Sequence, residues 1–104
     1  MSKINIELVT PEELILSEDA DLVVVPGSEG DFGVLYNHSP MISTIRPGVV
    51  TVESGEKAKR ELFVSGGFAE VTGGRCTILV EEAVDVKSLK PGELEKLISE
   101  AANA

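Results

Sequence analysis

The single histidine, His38, is the first residue to consider for chemistry, because imidazole serves in both metal binding and acid–base catalysis. A metal site would need further ligands, and a nucleophile would need a base and an orienting group close by. Ser39 is the next residue in the chain, but neighbours in sequence seldom have the geometry of a catalytic triad. The sequence therefore favours a loop or interface role for His38 and predicts no catalytic residues.

A glycine-rich stretch, residues 27–33, follows an apolar run and superficially resembles a phosphate-binding loop. It lacks the Gly-Lys-Ser/Thr ending of such loops, and the carboxylates of Glu29 and Asp31 would repel phosphate. Glu81, Glu82 and Asp85 lack the ligand spacing of a calcium loop. We expect a turn-rich surface loop at residues 27–33 and a solvated strand end at residues 81–85, with no bound cofactor or metal.

Two further side chains have reactive ends. Cys76 shares a strand face with Ile78 and Val80, so we expect a small buried hydrophobe and no reactive thiol. Lys57 lies near the tip of a predicted hairpin. Small acidic all-β carrier domains display a lipoylated or biotinylated lysine in such a turn, so a carrier domain modified at Lys57 is the alternative function, although a solvated loop lysine is commoner. Intact mass distinguishes the two.

Composition limits the classes of partner. The chain has 104 residues and a formal net charge of -9, and between Ile4 and Ile45 it carries eight acidic residues and no Lys or Arg. Such a surface repels nucleic acid and anionic lipid and suits a basic protein partner. No run approaches the ~20 apolar residues of a membrane span, and the first residues lack the features of a signal peptide. We expect a protein of the cytoplasmic side that does not insert into the membrane.

Alternating apolar residues and closely spaced turns predict an all-β fold. Ile4, Ile6 and Leu8 recur with the period of a strand that buries one face. Turn signals such as Gly73-Gly74 follow at short intervals. Thirteen valines favour strands further. The pattern predicts eight to ten short strands, arranged as a sandwich or flattened barrel.

The end of the chain has a helical period instead. Leu94, Leu97, Ile98 and Ala101 form one stripe of a helix, with Pro91 at its first position. We therefore divide the chain into a β-sandwich domain, residues 1–87, and a short C-terminal helical segment, residues 88–104. We expect the sandwich to fold without the helix.

Two segments go beyond pattern. Residues 26–50 read PGSEGDFGVLYNHSPMISTIRPGVV, and residues 63–83 read FVSGGFAEVTGGRCTILVEEA. Together they resemble the epsilon subunits of F-type ATP synthases. The family fold is a ten-stranded sandwich followed by a two-helix hairpin, whereas residues 91–103 supply one helix here. The resemblance thus implies a short form of the subunit. It lacks the second helix of the hairpin to which the family's inhibitory insertion and ATP binding belong.

The resemblance also implies a role and contact residues. It implies a non-catalytic rotor subunit that links the gamma subunit to the ring of c subunits, on the cytoplasmic face of the inner membrane, and it leaves contact with the alpha and beta subunits open. The turn Glu29-Gly30-Asp31 corresponds to the c-ring contact. The positions that correspond to the gamma contact are Thr10, His38, Ser39, Pro40, Met41 and Ile42.

Overall fold

The computed structural model describes residues 3–55 and 59–102. Within them the chain forms ten strands, a short 3-10 turn at Val86–Ser88 and one helix. The strands are β1 (Ile4–Val9), β2 (Leu14–Ala20), β3 (Leu22–Gly27), β4 (Gly30–Val34), β5 (Met41–Ile45), β6 (Gly48–Glu53), β7 (Arg60–Val64), β8 (Gly67–Thr72), β9 (Arg75–Val80) and β10 (Ala83–Asp85), and the helix is α1 (Glu93–Ala102). The predicted all-β fold with one C-terminal helix is confirmed.

The strands make a single sheet in the order β10-β7-β6-β3-β5-β8-β9-β1-β2, with β4 paired to β3. All pairs are antiparallel except β1 with β9. The sheet curls until its ends approach each other. Arg60 on β7 lies 3.1 Å from Glu18 on β2, and the Ser54 hydroxyl donates to the Asp19 carbonyl at 3.2 Å. The result is a nearly closed barrel.

The core of the barrel is aliphatic, as the composition requires. Ile4, Ile6 and Leu8 on β1 have no exposed surface, and the residues between them are half-buried. Cys76 is also fully buried, which confirms its expected place among the hydrophobes. Burial raises the pKa of its thiol to about 12, because an apolar setting disfavours the thiolate.

Glycines are required at one turn and at the start of one strand. Gly73-Gly74 joins Thr72 to Arg75, which face each other across β8 and β9, so the predicted two-residue turn is confirmed. At the start of β8, Gly67 has a φ of +153°. A Cβ at this position would overlap the backbone carbonyl of Leu79, so no other residue fits without backbone movement.

Some predicted boundaries move. The apolar run at residues 14–16 predicts a short second strand, but the strand continues to Ala20 because residues 17–20 pair with β1 at an edge of the sheet, where polar side chains reach water. The sequence also predicts a strand over residues 33–36, between the glycine-rich loop and the break at Asn37, but this strand lies at Gly30–Val34. A tight turn at Ser28-Glu29 pairs Gly30 with Gly27 and so starts the strand earlier.

The C-terminal helix begins at Glu93, and the prediction of Pro91 at its first position is wrong. Gly92 lies between them with a φ of +87°, which is not helical. The predicted stripe is confirmed, because Leu94, Leu97, Ile98 and Ala101 are all half-buried on this helix. Among residues 3–55 and 59–102, the structure has no helix whose length and apolarity would suffice to cross a bilayer.

The helix covers a second apolar surface, on the outside of the barrel. Phe63 lies opposite Val49 and Val84 and points away from the core, yet it is only 1% exposed. Leu97 and Ala101 of α1 line the same depression as Phe63. The division at residue 87 stays a prediction, since helix and barrel meet at this contact.

Candidate functional site

Three large apolar side chains stand on the outer face of the barrel, across β5, β8 and β9. Ile42 is 72% exposed, Phe68 55% and Leu79 50%. Phe68 lies directly opposite Leu79, and Ile42 lies opposite Glu70, two residues from Phe68. We call these three residues the apolar strip. The antiparallel pairing of three successive strands fixes their spacing.

One end of the apolar strip reaches Thr10. Thr10 and Pro11 line an open depression of about 450 Å³ together with Phe68 and Leu79. The backbone amide of Thr10 donates to the Glu13 carbonyl at 2.9 Å, and its hydroxyl oxygen accepts from the Glu13 amide at 3.3 Å. Thr10 is therefore held in a turn that borders the strip.

The other end reaches residues 38–42. Pro40, Met41 and Ile42 line a depression of about 300 Å³ on this side. The half-buried His38 donates its amide to the Leu35 carbonyl at 3.1 Å, and its Nδ1 lies 2.7 Å from the Ser39 carbonyl oxygen. Ser39 is exposed.

The predicted gamma contacts thus lie at opposite ends of one face and do not form a single cluster. Met41 pairs with Val71 near the His38 loop, and Ile45 pairs with Gly67 near Thr10. The two pairs are four steps apart along the strand, roughly 13 Å at ~3.3 Å per residue. A partner that touches both ends must lie along the whole strip.

The predicted c-ring contact is the tip of the β3–β4 hairpin. Glu29 and Gly30 are exposed, and Gly30 has a φ of +134°. The neighbouring Asp31 carboxylate lies 2.5 Å from the Arg46 guanidinium. Arg46 also donates to the carbonyl of Gly27, on the other arm of the hairpin.

The hairpin tip and the apolar strip are continuous. The Ser28 amide donates to the Thr44 carbonyl on β5 at 3.0 Å. One open depression of about 660 Å³ is bordered by residues 27–32 of the hairpin and residues 41–44 of β5. The residues predicted for two different partners therefore share a boundary at Met41 and Ile42.

The side chains singled out for chemistry stay apart from one another in the part of the chain that the structure describes. Within the described residues, the ring of His38 bonds to a backbone carbonyl and to no carboxylate, and no three His, Cys, Asp or Glu side chains converge as metal ligands. Glu81, Glu82 and Asp85 are exposed, as expected of solvated strand ends. Lys57, on which the carrier-domain alternative rests, lies outside the described residues.

Sequence reasoning missed part of this surface. Phe68 and Leu79 belong to the apolar strip but were not named as contacts. A signal was present for Phe68, since it shares the outward phase of β8 with Glu70 and Thr72, and a large aromatic side chain in a polar phase indicates an interface. The pairing of Arg46 with Asp31 had no such signal.

Comparison with known proteins gives a family. The family model for the β-sandwich domain of ATP synthase delta/epsilon chains matches residues 3–86. The ATP synthase epsilon chain of Rhodospirillum rubrum is 55% identical over 83 residues, which cover 80% of this chain and 62% of that one. The epsilon chain of Paramagnetospirillum magneticum is 52% identical over 99 residues, covering 95% of this chain and 71% of that one.

Chains of solved ATP synthase structures superpose on this chain. A chain of the Euglena gracilis mitochondrial ATP synthase, in an OSCP/F1/c-ring structure, superposes with a TM-score of 0.83 at 30% identity and covers 96% of this chain and 64% of that one. A chain of the Tetrahymena thermophila mitochondrial ATP synthase central stalk and c ring has a TM-score of 0.71 at 15% identity, with 98% and 92% covered, and supports the fold alone. The present chain spans less than two thirds of the Rhodospirillum rubrum chain. From the family model and these relatives, the chain belongs to the ATP synthase delta/epsilon family.

Proposed function

We propose that the chain is a non-catalytic subunit of the rotor of a proton-translocating F-type ATP synthase, where it joins the gamma subunit to the c ring. The relatives with half their aligned residues identical are ATP synthase epsilon chains. The observation that carries the role is the continuous outer surface, in which the apolar strip adjoins the acid-bearing hairpin.

The apolar strip is suited to the gamma subunit. Large apolar side chains that stay exposed next to one another mark an interaction site, because their burial against a partner releases water from apolar surface. Thr10 and residues 38–42, which the family resemblance assigns to gamma, border the strip at its two ends. Phe68 and Leu79 then become the apolar centre of the same interface.

The hairpin tip is suited to a basic partner. The resemblance assigns Glu29, Gly30 and Asp31 to the polar loops of the c ring, which carry an arginine. Opposite charges across an interface speed association and fix orientation more than they add affinity. Because the hairpin is hydrogen-bonded to β5, a force on its tip passes directly into the sheet that carries the strip.

The proposed location follows from the partners. A subunit that binds the c ring from the side of the catalytic head lies on the cytoplasmic face of the inner membrane, as a peripheral component of the complex. Contact with the alpha and beta subunits is decided by affinity capture from detergent-solubilised membranes, with the subunits identified by mass spectrometry.

Substitution within the apolar strip tests the proposal. We expect Phe68→Ser to weaken binding to purified gamma subunit by at least about tenfold, the effect of losing ~1.4 kcal/mol at an interface centre. Glu61→Ser is the control, because Glu61 is also exposed but lies on β7, away from the strip. Equal losses in the two variants, or none in Phe68→Ser, would refute the assignment. We also expect no ATP hydrolysis by the isolated chain.

A further inference from the structure

The β3–β4 hairpin is cross-linked by one side chain from a different part of the chain. The Arg46 guanidinium donates to the Gly27 carbonyl on one arm and lies 2.5 Å from the Asp31 carboxylate on the other. The Arg46 backbone amide donates to the Pro26 carbonyl at 2.9 Å. Three bonds from a single residue therefore hold both arms against the end of β5.

The two acids of the hairpin consequently differ. Asp31 has an internal cationic partner, so its charge is largely compensated before any other molecule arrives. Glu29 makes no ion pair within residues 3–55 and 59–102, and it stands exposed at the two-residue tip. The uncompensated charge of the hairpin is thus the one that projects furthest.

We propose that Arg46 is a positioning residue of this surface, which fixes the hairpin and takes up the charge of Asp31 so that Glu29 is the carboxylate offered to a basic partner. The inference rests on the proposed function, since it takes the c-ring loops as that partner. An exposed ion pair adds little to stability. The consequence of this pair is the order of the tip and the direction in which its free charge points.

Hydrogen exchange on the free chain tests the role of Arg46 without any partner. The Ser28 amide, which donates to Thr44 at the base of the tip, is the reporter. We expect Arg46→Gln and Asp31→Asn each to speed its exchange by at least about threefold, the scale of one exposed ion pair. Arg46→Lys keeps the charge but has no planar fork to bridge both arms, so it should also speed exchange. Asp31→Asn should add nothing in the Arg46→Gln background.

Binding to the purified c ring tests the role of Glu29. We expect Glu29→Gln to slow association by about threefold or more at low salt, with the difference closing as salt is raised and with Ser28 exchange unchanged. Glu61→Gln removes the same charge from an exposed position on β7 and is the control; it should have a clearly smaller effect.

Several results would overturn the inference. Unchanged Ser28 exchange in Arg46→Gln removes the positioning role of Arg46. If Asp31→Asn slows association and leaves Ser28 exchange unchanged, Asp31 itself is the contact. If Glu29→Gln and Glu61→Gln have equal effects on association, Glu29 is not the contact. If the unaltered chain binds gamma but not the c ring, the partner assumed here is wrong, while the exchange result still decides whether Arg46 orders the tip.

Discussion

Ending the chain after Val86 removes α1 and exposes the outer surface that it covers. Phe63 is 1% exposed although it points away from the barrel core, and Leu97 lies across the same depression. The hydrogen bonds that join neighbouring strands of the sheet do not involve α1. We expect the shortened chain to fold into the same barrel with reduced stability.

The magnitude follows from opposing terms. Full exposure of Phe63 loses ~1.5–3 kcal/mol. The half-buried Leu94, Leu97 and Ile98 are removed with the helix. The burial energy lost with them is roughly that of one or two fully buried side chains. A ten-residue helix is marginal on its own. Its removal therefore also removes the entropic cost of ordering it, which offsets much of the lost burial energy. We expect the free energy of unfolding to fall by about 1–3 kcal/mol, within the ~5–15 kcal/mol of an ordinary domain.

Urea denaturation, followed by circular dichroism, measures this difference. A double-mutant cycle isolates the contact: Phe63→Ala should destabilise the full chain more than the shortened one, because the helix is part of what Phe63 loses. Failure of the shortened chain to unfold cooperatively would show that α1 completes the core. Equal effects of Phe63→Ala in both chains would show that the helix does not cover Phe63.

Three other changes have defined outcomes. Gly67→Ala should cost more than ~3 kcal/mol in urea denaturation, since its Cβ would overlap the Leu79 carbonyl at a positive φ; near-normal stability would mean that the backbone relaxes there. The pKa of the Asp21 carboxyl is lowered, mainly by its bond to Lys3 at 2.9 Å. Asp21→Asn should therefore destabilise at neutral pH, with the deficit vanishing as pH falls through the lowered pKa, because a carboxylate of depressed pKa stabilises only while ionised; a deficit that persists in acid contradicts this. Cys76 should react with a thiol reagent at neutral pH only as fast as the barrel opens, since burial raises its pKa to about 12, and fast labelling of the folded chain would contradict its burial.

Local pattern predicted the strands well, for a physical reason. Alternation reports which face of a strand is buried, and the alternating apolar residues of β1 and β9 became core positions. Strand order carries no comparable local signal. The parallel pairing of Ile6 with Cys76 joins residues seventy positions apart, and the preference for it comes only from closing the whole barrel. Neither the order nor the extension of β2 to Ala20 was therefore predicted.

The surface was predicted unevenly for the same reason. The resemblance named Thr10 and residues 38–42, which border the apolar strip. The binding experiments test these assignments. The outward phase of Phe68 could have been read from the alternation of its strand, but the placement of Phe68 directly opposite Leu79 depends on the pairing of β8 with β9. Arg46 and Asp31 are fifteen residues apart and meet only because β3, β4 and β5 converge at one end of the barrel.

The register of the strands also places charged side chains beside the apolar strip. The row Thr44, Phe68, Leu79 and Val9 crosses four strands, and the next outward row holds Ile42, Glu70, Thr77 and Glu7. The carboxylate of Glu70 therefore lies one row from the most apolar part of the face, and so does that of Glu7, whose charge is partly compensated by Arg75 at 3.6 Å. Charges among outward apolar residues discourage the pairing of two identical faces, because each would bring like charges together. A partner can bury the strip without that repulsion if it has apolar side chains against the first row and basic or polar groups against the second. The pattern that hinders self-association therefore also sets the orientation in which a partner can dock.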